Sequence, residues 1–485
     1  MAERITIDPV TRLEGHGRIE IFLDEQGEVA DAYWQVAELR GFERFCLGRP
    51  AEEMTRIAPN ICGICPSAHH MAATKALDRL FGVEPPPAAR LIRELEYNAS
   101  IVEDHYLHFY FLAAPDLVVG PEADPAERNI LGVVRLLGKE VGERVIRIRQ
   151  LNRAIIRHIF SKAPHPEGGL PGGVPRRLTE ADRGWLRETA AETLDFARFS
   201  LQLFRERVLP GAALAALRDS DAYRMEICSM GLVDEQGQMA FYDGKVRVVD
   251  PAGAELCRFA AEEYGERIGE WVVPWSYVKL AYLRERGWQG LAEGEGTSLY
   301  RVAPLARLNV AGRMATPLAQ EEFELFRQHY GELPVHDSLA THWARLICAL
   351  QAAERNRQLV EEPLLTSHEI RNMDFRITGR GVGCVEAPRG TLFHDYECDE
   401  RGILTRVNLL VATQQNSGPI SLAIKKAARH FIHGGQVREG LLNRVEMAFR
   451  AYDPCLSCAS HALPGGSSLQ ILIRDHSGRV LQTLG

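Results

Sequence analysis

Two cysteine pairs of identical spacing lie at opposite ends of this chain, and they constrain its fold more than any other feature. The first is Cys62-Gly-Ile-Cys65 and the second is Cys455-Leu-Ser-Cys458. Each pair is closely followed by a histidine, His69 in the first case and His461 in the second. Thiolates are the ligands that soft and borderline metal ions prefer. A fold that brings the two ends of the chain together would therefore create a buried four-thiolate metal site.

A structural zinc site is the main alternative for four cysteines. Zinc ribbons and fingers keep their two pairs within tens of residues, and a closed zinc site needs no further ionisable groups. Here almost the whole chain separates the pairs. Ionisable residues also lie in apolar or Gly/Pro-rich stretches, namely Glu14, Glu43, Asp104, Arg389 and Asp453. The sequence therefore favours a reactive transition-metal site, with structural zinc left open.

Composition excludes several classes of protein. A formal charge of −8 offers no basic surface for nucleic acid, so we expect no nucleic-acid partner. We find no long apolar run and no signal-peptide pattern, which predicts a chain without a membrane span. Ten cysteines in 485 residues are too dilute for a disulfide scaffold. A reducing, cytoplasmic location is therefore expected.

The hydrophobic pattern predicts a mainly helical α+β fold in a single unit spanning 1–485. Alternation of apolar and polar residues predicts a small antiparallel sheet at the N-terminus, within 5–33. Apolar residues recurring at three and four predict a central bundle of long helices at 87–114, 126–161, 179–208, 338–361 and 418–451. Short strands are predicted as peripheral insertions at 215–330, including Val302 to Val310, and at 380–413.

Five motifs, in this order, resemble the large subunit of nickel-iron hydrogenases. The resemblance extends from about residue 4 to the C-terminus, and the stretch before the second cysteine pair is similar to the cytoplasmic, bidirectional, heteromultimeric class. It implies a catalytic subunit that interconverts H2 with protons and electrons. The motifs are Asp8-Pro-Val-Thr-Arg12-Leu-Glu14-Gly-His16, Arg40-Gly-Phe-Glu43, Cys62-Gly-Ile-Cys65, Ala387-Pro388-Arg389-Gly390 and Asp453-Pro-Cys455-Leu-Ser-Cys458-Ala-Ser-His461.

The resemblance implies that all four cysteines bind nickel. Cys62 and Cys455 would be terminal ligands, while Cys65 and Cys458 would bridge to an iron that carries CO and CN ligands. Cys455 would be the first proton acceptor and Glu14 the next. Without the resemblance, a glutamate in the context of Glu14 is more often a structural cap.

The same resemblance assigns a charged canopy and a hydrogen-bonding shell to the metal site. Arg389 would lie over the open face of the metal, surrounded by Asp104, Pro388 and Asp453. His69 would hydrogen-bond a bridging sulfur. Thr413 would lie near the cyanide ligands, although Ala412 stands where relatives commonly have proline. Considered alone, Pro388-Arg389-Gly390 predicts a turn with an exposed arginine, and His69 is equally well explained as a core histidine.

A second ion and a maturation step are implied at the C-terminus. Glu43 and His461 resemble ligands of a separate ion, either magnesium or iron, whose identity the residue types leave open. In the family a maturation protease cuts after this histidine. Residues 462–485 would then be a C-terminal propeptide.

Electrons released at a buried metal need acceptors, and the sequence shows no motif for a flavin, nicotinamide or iron-sulfur cluster. The resemblance therefore implies an iron-sulfur small subunit, with diaphorase or other electron-transfer subunits carrying flavin and NAD(P) on other chains. Two further alternatives share the fold: a non-catalytic H2 sensor and a quinone-binding subunit of a respiratory complex. The four cysteines argue against the second.

Overall fold

A computed structural model describes residues 4–8, 10–211, 220–460, 471–474 and 480–484. Its helices and sheets confirm the mainly helical α+β prediction. Within these residues, no helix combines the length and apolarity needed to cross a membrane. The longer helices are Pro66–Leu80, Pro87–Leu107, Lys139–Phe160, Glu180–Leu203, Pro317–Tyr330, Thr341–Leu359, Ala412–Phe431 and Glu439–Arg450. Shorter helices include Ile130–Leu137, Pro304–Val310 and Leu456–Ala459.

The predicted bundle helices are present, but two of the predicted ranges are divided. The range 126–161 contains two helices that meet at Gly138, which has a φ of 96° and ends the first helix. The range 418–451 also contains two helices, separated by a loop in which Gly434 and Gly435 have positive φ. Glycine reaches these left-handed conformations without a steric penalty, so it interrupts an apolar pattern that otherwise continues.

The strands form small, separate sheets. Arg4–Ile7, Gly17–Leu23 and Val29–Val36 make the predicted N-terminal antiparallel sheet. A second three-stranded sheet contains Arg380–Ala387, Gly390–Cys398 and Leu404–Leu410. The remaining strands are Cys228–Val233, Lys245–Val249, Glu255–Phe259 and Tyr300–Arg301 in one sheet, the pair Ile268–Trp271 and Leu280–Leu283, and the pair Ile471–Arg474 and Val480–Leu484.

The prediction of a strand from Val302 to Val310 is wrong. Pro304–Val310 is a helix, and all seven of its residues are buried. A short segment that is apolar on every side shows neither the period of a strand nor that of a surface helix. The proline at its start is typical of the first turn of a helix.

The helix that follows the first cysteine pair packs directly on the sheet that carries Arg389. Gly383 and Gly381 of strand Arg380–Ala387 lie under this helix, Pro66–Leu80. A Cβ at Gly383 would be 2.0 Å from the carbonyl oxygen of Ala72, and one at Gly381 would be 2.1 Å from that of Ala76. The two glycines therefore allow the helix that follows the first cysteine pair to lie close against the strand that precedes Arg389.

A buried carboxyl group on the neighbouring helix makes the stability of the fold depend on pH. Glu96 is fully buried, and Ser67 Oγ donates a hydrogen bond of 2.8 Å to its Oε1. Burial raises the pKa of Glu96 to about 8. Between its ordinary pKa of 4.5 and about 8, the folded chain therefore keeps a proton that the unfolded chain releases. The contribution of this group to stability is lost as the pH rises through that window.

We expect Glu96→Gln, which cannot ionise, to raise the apparent unfolding temperature at pH 8.5 by roughly 5 °C and to change it little at pH 4.5. Thermal unfolding at the two pH values measures the difference. The exposed Glu188, changed to Gln, is the control and should shift neither value. A shift for Glu96→Gln that does not grow with pH would contradict the prediction.

Candidate metal centre

The first cysteine pair is shaped by backbone hydrogen bonds. Cys62 has an extended conformation after the turn Ala58–Ile61, and Cys65 caps the helix Pro66–Leu80. The Sγ atom of Cys62 accepts the backbone N–H groups of Ile64 at 3.3 Å and of Cys65 at 3.0 Å. The loop therefore folds around the first sulfur and places the second on the same side.

The second pair is held by two distant parts of the chain. Thr413, in the first turn of helix Ala412–Phe431, accepts the N–H of Cys455 with its Oγ1 at 3.0 Å. The N–H of Leu456 donates to the carbonyl oxygen of Glu14 at 3.0 Å, and Glu14 forms a parallel bridge with Cys455. The N-terminal segment is thus joined to the C-terminal cysteines.

All four sulfurs meet, as the spacing of the pairs predicts. They lie within 4.8 Å of one another. Across the pairs, Cys62 Sγ is 3.3 Å from Cys455 Sγ, and Cys65 Sγ is 3.4 Å from Cys458 Sγ. Each of the four residues is at most 8% exposed. This is a compact, buried, all-sulfur donor set of the kind that binds transition metals.

The charges of this cluster also fit a metal ion. Burial opposes ionisation of Cys62, but hydrogen bonds from the other three thiols lower its pKa well below the usual value. Burial raises the pKa of Cys455 and of Cys458 well above that value. Without a cation, only part of the cluster would therefore be ionised. A bound metal cation would stabilise the thiolate form of the other cysteines.

Glu14 lies against the second cysteine pair in a defined orientation. Cys455 Sγ donates to Glu14 Oε2 at 3.1 Å, and the N–H of Ser457 donates to the same oxygen at 2.9 Å. The hydroxyl of Ser457 donates to Oε1. Both carboxylate oxygens are therefore fixed, one of them against the sulfur of Cys455. Ser457 was not identified from the sequence, although its position inside the second Cys-x-x-Cys loop was an available signal.

Arg389 is buried beside the sulfur cluster, and the interpretation of its motif as a turn with an exposed arginine is wrong. The turn itself is present, but the side chain is held inside by two carboxylates. Nη1 donates to Asp104 Oδ2 at 3.0 Å, Nη2 lies 3.0 Å from Asp453 Oδ2, and Nε donates to the carbonyl oxygen of Asp453 at 2.6 Å. Burial opposes the charge on Arg389, but the two carboxylates outweigh it and raise the pKa of the guanidinium.

The two carboxylates that hold Arg389 differ in their surroundings. Burial raises the pKa of Asp104 to about 7, against the opposing effect of Arg389. Asp453 also pairs with the buried Arg345 at 3.2 Å, and it has a φ of 56°. A non-glycine residue in this conformation is uncommon and is found where surrounding contacts impose it.

His69 lies next to a sulfur of the second pair. Its Nε2 is 3.4 Å from Cys458 Sγ, and its Nδ1 is 3.0 Å from Nε2 of His394. His394 in turn contacts the hydroxyl of Tyr396 through Nδ1. This buried chain orients the His69 ring toward the sulfur, as second-layer partners of metal ligands commonly do. Nothing in the sequence motifs pointed to His394.

Two family models match most of this chain. The model described as nickel-dependent hydrogenase matches residues 40–131 and 297–461, and a model described as HoxL-like matches residues 4–39. The chain belongs to the nickel-dependent hydrogenase family. The hydrogenase is therefore an oxidoreductase that acts on H2, and this chain is its large, catalytic subunit.

Known hydrogenase subunits are similar to this chain over nearly its full length. This chain is 47% identical to an iron-sulfur subunit of the F420-non-reducing hydrogenase of Archaeoglobus profundus, over 99% of each chain. It is 36% identical to the NAD-reducing hydrogenase HoxS subunit beta of Cupriavidus necator, again over 99% of each. A crystal structure of an NAD+-reducing [NiFe]-hydrogenase in the H2-reduced state superimposes with a TM-score of 0.88 at 37% identity, covering 95% of this chain and 99% of that one. These relatives are subunits, which implies a small-subunit partner.

Two other predicted residues of the hydrogenase lie at the edge of the cluster. Thr413 contacts the backbone of Cys455 and is 2% exposed. Pro388 is buried and lines a small cavity together with Cys65 and Asp104. The structure therefore brings both residues to the thiols.

The second ion site of the hydrogenase is only partly within the described residues. His461 lies outside them, as does most of the predicted propeptide 462–485. Glu43 is half-buried, and its Oε1 accepts the N–H of Leu409 at 2.7 Å. The N–H of Arg40 donates to the carbonyl oxygen of Ser460 at 2.7 Å. The segment that carries Glu43 thus contacts the residue that precedes His461.

Proposed function

We propose that Cys62, Cys65, Cys455 and Cys458 hold the nickel, and that Cys65 and Cys458 also bind an iron with CO and CN ligands. The meeting of four buried sulfurs is the observation that carries this assignment. When bound, the metal group supplies the redox capacity and the electrophile for reversible heterolytic cleavage of H2. The residues of this chain would hold the metals, orient the charged groups beside them and carry protons away.

The proton route begins at a thiolate. Cys455 accepts a proton at Sγ, and Glu14 takes it at Oε2, which lies 3.1 Å away. This separation is within the reach needed for direct proton transfer. Ser457 holds the carboxylate of Glu14 in place through two hydrogen bonds. Glu14 is half-buried, so it links the buried thiol to the outer part of the molecule.

Arg389 acts as a fixed cation beside the sulfurs. Asp104 and Asp453 hold its guanidinium from two sides, and Pro388 limits the freedom of the turn. A pre-oriented charge costs little reorganisation when charge develops during the reaction. His69 donates a hydrogen bond to the sulfur of Cys458 and thereby tunes that ligand. Thr413 holds the backbone of Cys455 and borders the proposed site of the cyanide ligands.

A second ion, magnesium or iron, is proposed to bind between Glu43 and His461. The contact between Arg40 and Ser460 supports it, because it places the two segments side by side. Such an ion would tie the N-terminal segment to the mature C-terminus. A maturation protease would cut after His461 and remove 462–485 as a propeptide from a chain that is otherwise one unit.

The electrons are proposed to pass to iron-sulfur clusters of the small subunit, then to diaphorase or other electron-transfer subunits. The NAD-reducing relative supports NAD(P) as an acceptor. We propose that flavin and NAD(P) bind to other chains. The name of the F420-non-reducing relative excludes only F420 as the acceptor of that protein. In either case we propose a cytoplasmic complex without nucleic acid.

Metal analysis with infrared spectroscopy of the purified complex tests the site. We expect nickel and iron in this chain together with CO and CN stretching bands. H2-dependent reduction of a viologen dye should accompany them, which separates a catalyst from a slow H2 sensor. Zinc alone, without those bands, would contradict the proposed centre.

A further inference from the structure

Arg389 belongs to a tight turn of two residues between paired strands. The strands Arg380–Ala387 and Gly390–Cys398 remain paired as far as Ala387 and Gly390. Pro388 and Arg389 are therefore the only two residues of the turn. The direction of the Arg389 side chain consequently depends on how firmly the two strand ends are held.

A buried ion pair holds the first strand end. Arg307 and Glu386 both have a relative exposure of 0%. Arg307 Nε donates to Glu386 Oε2 at 2.6 Å, and the Nη2 of the same guanidinium donates to the carbonyl oxygen of Ala387, immediately before the turn. One arginine therefore fixes both the next-to-last side chain of the strand and its last carbonyl group.

The remaining oxygen of Glu386 is also satisfied. Its Oε1 accepts the N–H of Leu232 at 3.0 Å and the hydroxyl of Thr391, from the other strand of the hairpin, at 2.6 Å. The hydroxyl of Tyr97 donates to the carbonyl oxygen of Glu386 at 2.8 Å. Glu386 thus connects both strands of the hairpin to a helix and to a second sheet.

The second end of the turn is held from another direction. Asn416 donates through Nδ2 to the carbonyl oxygen of Arg389 at 3.0 Å. Asn416 belongs to the same helix as Thr413, which holds the backbone of Cys455. One helix therefore sets the positions of the turn and of the second cysteine pair relative to each other.

The energetics argue for a positioning role. Burying an ion pair yields little net stability, because desolvation offsets the attraction between the charges. What a fully hydrogen-bonded pair supplies is a fixed geometry. We propose that Arg307 and Glu386 are positioning residues, which hold the Pro388-Arg389 turn so that the guanidinium of Arg389 stays between Asp104 and Asp453 beside the four sulfurs. This inference rests on the function proposed above for Arg389.

Glu386→Gln in the complete hydrogenase complex tests it. Glutamine keeps the size of the side chain but loses the charge that holds Arg307. We expect unchanged nickel content and a kcat for H2-dependent viologen reduction that is lower by about tenfold, because small displacements of an acting group are costly.

Asp78→Asn is a matched control. Asp78 also pairs with a fully buried arginine, Arg93, at 2.5 Å and accepts a backbone N–H, that of Gly172, at 2.8 Å. Asp78 lies in the C-terminal turn of helix Pro66–Leu80, at the end away from the cysteines. We expect this variant to lower the unfolding temperature and to leave kcat unchanged. An equal fall in kcat would overturn the specific role of Glu386.

A double-mutant cycle separates positioning from general structure. Arg389→Lys alone should lower kcat on the order of 100-fold. In that background, Glu386→Gln should lower kcat by less than about twofold, since a residue that acts through Arg389 has nothing left to position. A full loss in both backgrounds would overturn the inference. An Arg389→Lys variant with normal kcat would instead overturn the function proposed for Arg389.

A second variant, Thr391→Val, tests the same inference if the Glu386→Gln protein fails to bind nickel. Valine removes only the hydroxyl that donates to Glu386 Oε1. We expect a loss in kcat of about threefold that disappears in the Arg389→Lys background. An unchanged kcat for Thr391→Val, in the absence of a loaded Glu386→Gln variant, would overturn the inference.

Discussion

Cys455→Ser is expected to lose nickel and at least about a thousandfold of its H2-oxidising activity. A serine hydroxyl does not ionise near neutral pH and is a harder donor than a thiolate, so it is a poor ligand for nickel. The change also removes the thiol that lies 3.1 Å from Glu14. The two functions proposed for this sulfur, metal binding and proton transfer, should therefore be lost together. Nickel per chain and the rate of viologen reduction measure them.

Cys228→Ser is the matched control for the loss of a buried thiol. Cys228 is fully buried, and its Sγ lies 3.6 Å from the carbonyl oxygen of Thr297, where a serine hydroxyl would also find an acceptor. This variant should retain nickel and activity. A Cys455→Ser protein with a full complement of nickel would show that the second pair is not part of the metal site.

Glu14→Gln is expected to keep both metals and to lose about 100-fold or more in turnover. The amide oxygen of glutamine can accept the N–H of Ser457 and its NH2 group can donate to the Ser457 hydroxyl, so the side chain stays in place. The amide cannot, however, take a proton from Cys455 Sγ. The fall should appear equally in the exchange of H2 with D2O, because that reaction also needs protons to leave the site. Metal content, infrared bands, turnover and isotope exchange are the measurements.

Glu38→Gln serves as the control for Glu14. Glu38 is half-buried in the same N-terminal segment, and it pairs with the exposed His16 at 2.5 Å rather than with a cysteine. Turnover of this variant should match that of the unmodified protein. If Glu14→Gln turned over normally with both metals present, Glu14 would have no place in the proton route.

The sequence predicted the fold class and most long helices, because their apolar faces repeat with the helical period over many residues. The strand prediction at 302–310 was wrong because that period carries no information there. Pro304–Val310 is buried on every side and was predicted as a strand. The loop between Phe431 and Glu439 was predicted as helix, since the glycines that end the helix there interrupt the pattern only briefly.

Spacing singled out the four cysteines of the site, while Glu14, Asp104, Arg389 and His69 were predicted from the resemblance to a known family. Ser457, His394 and Asn416 were not identified. Each of them acts through hydrogen bonds to a residue distant in the sequence. Ser457 at least lies inside the second Cys-x-x-Cys loop, but nothing in the sequence around these three residues reveals which partner they contact.

What the sequence determined by itself was the chemistry of the donor set, since four cysteines in two equal pairs prefer a transition metal whatever surrounds them. The tertiary structure decided which charged groups reach those sulfurs. Arg389 is buried because Asp104 and Asp453, from two other parts of the chain, neutralise its charge. Such pairing depends on distances in space between elements that are far apart in the sequence, and no local pattern reports those distances.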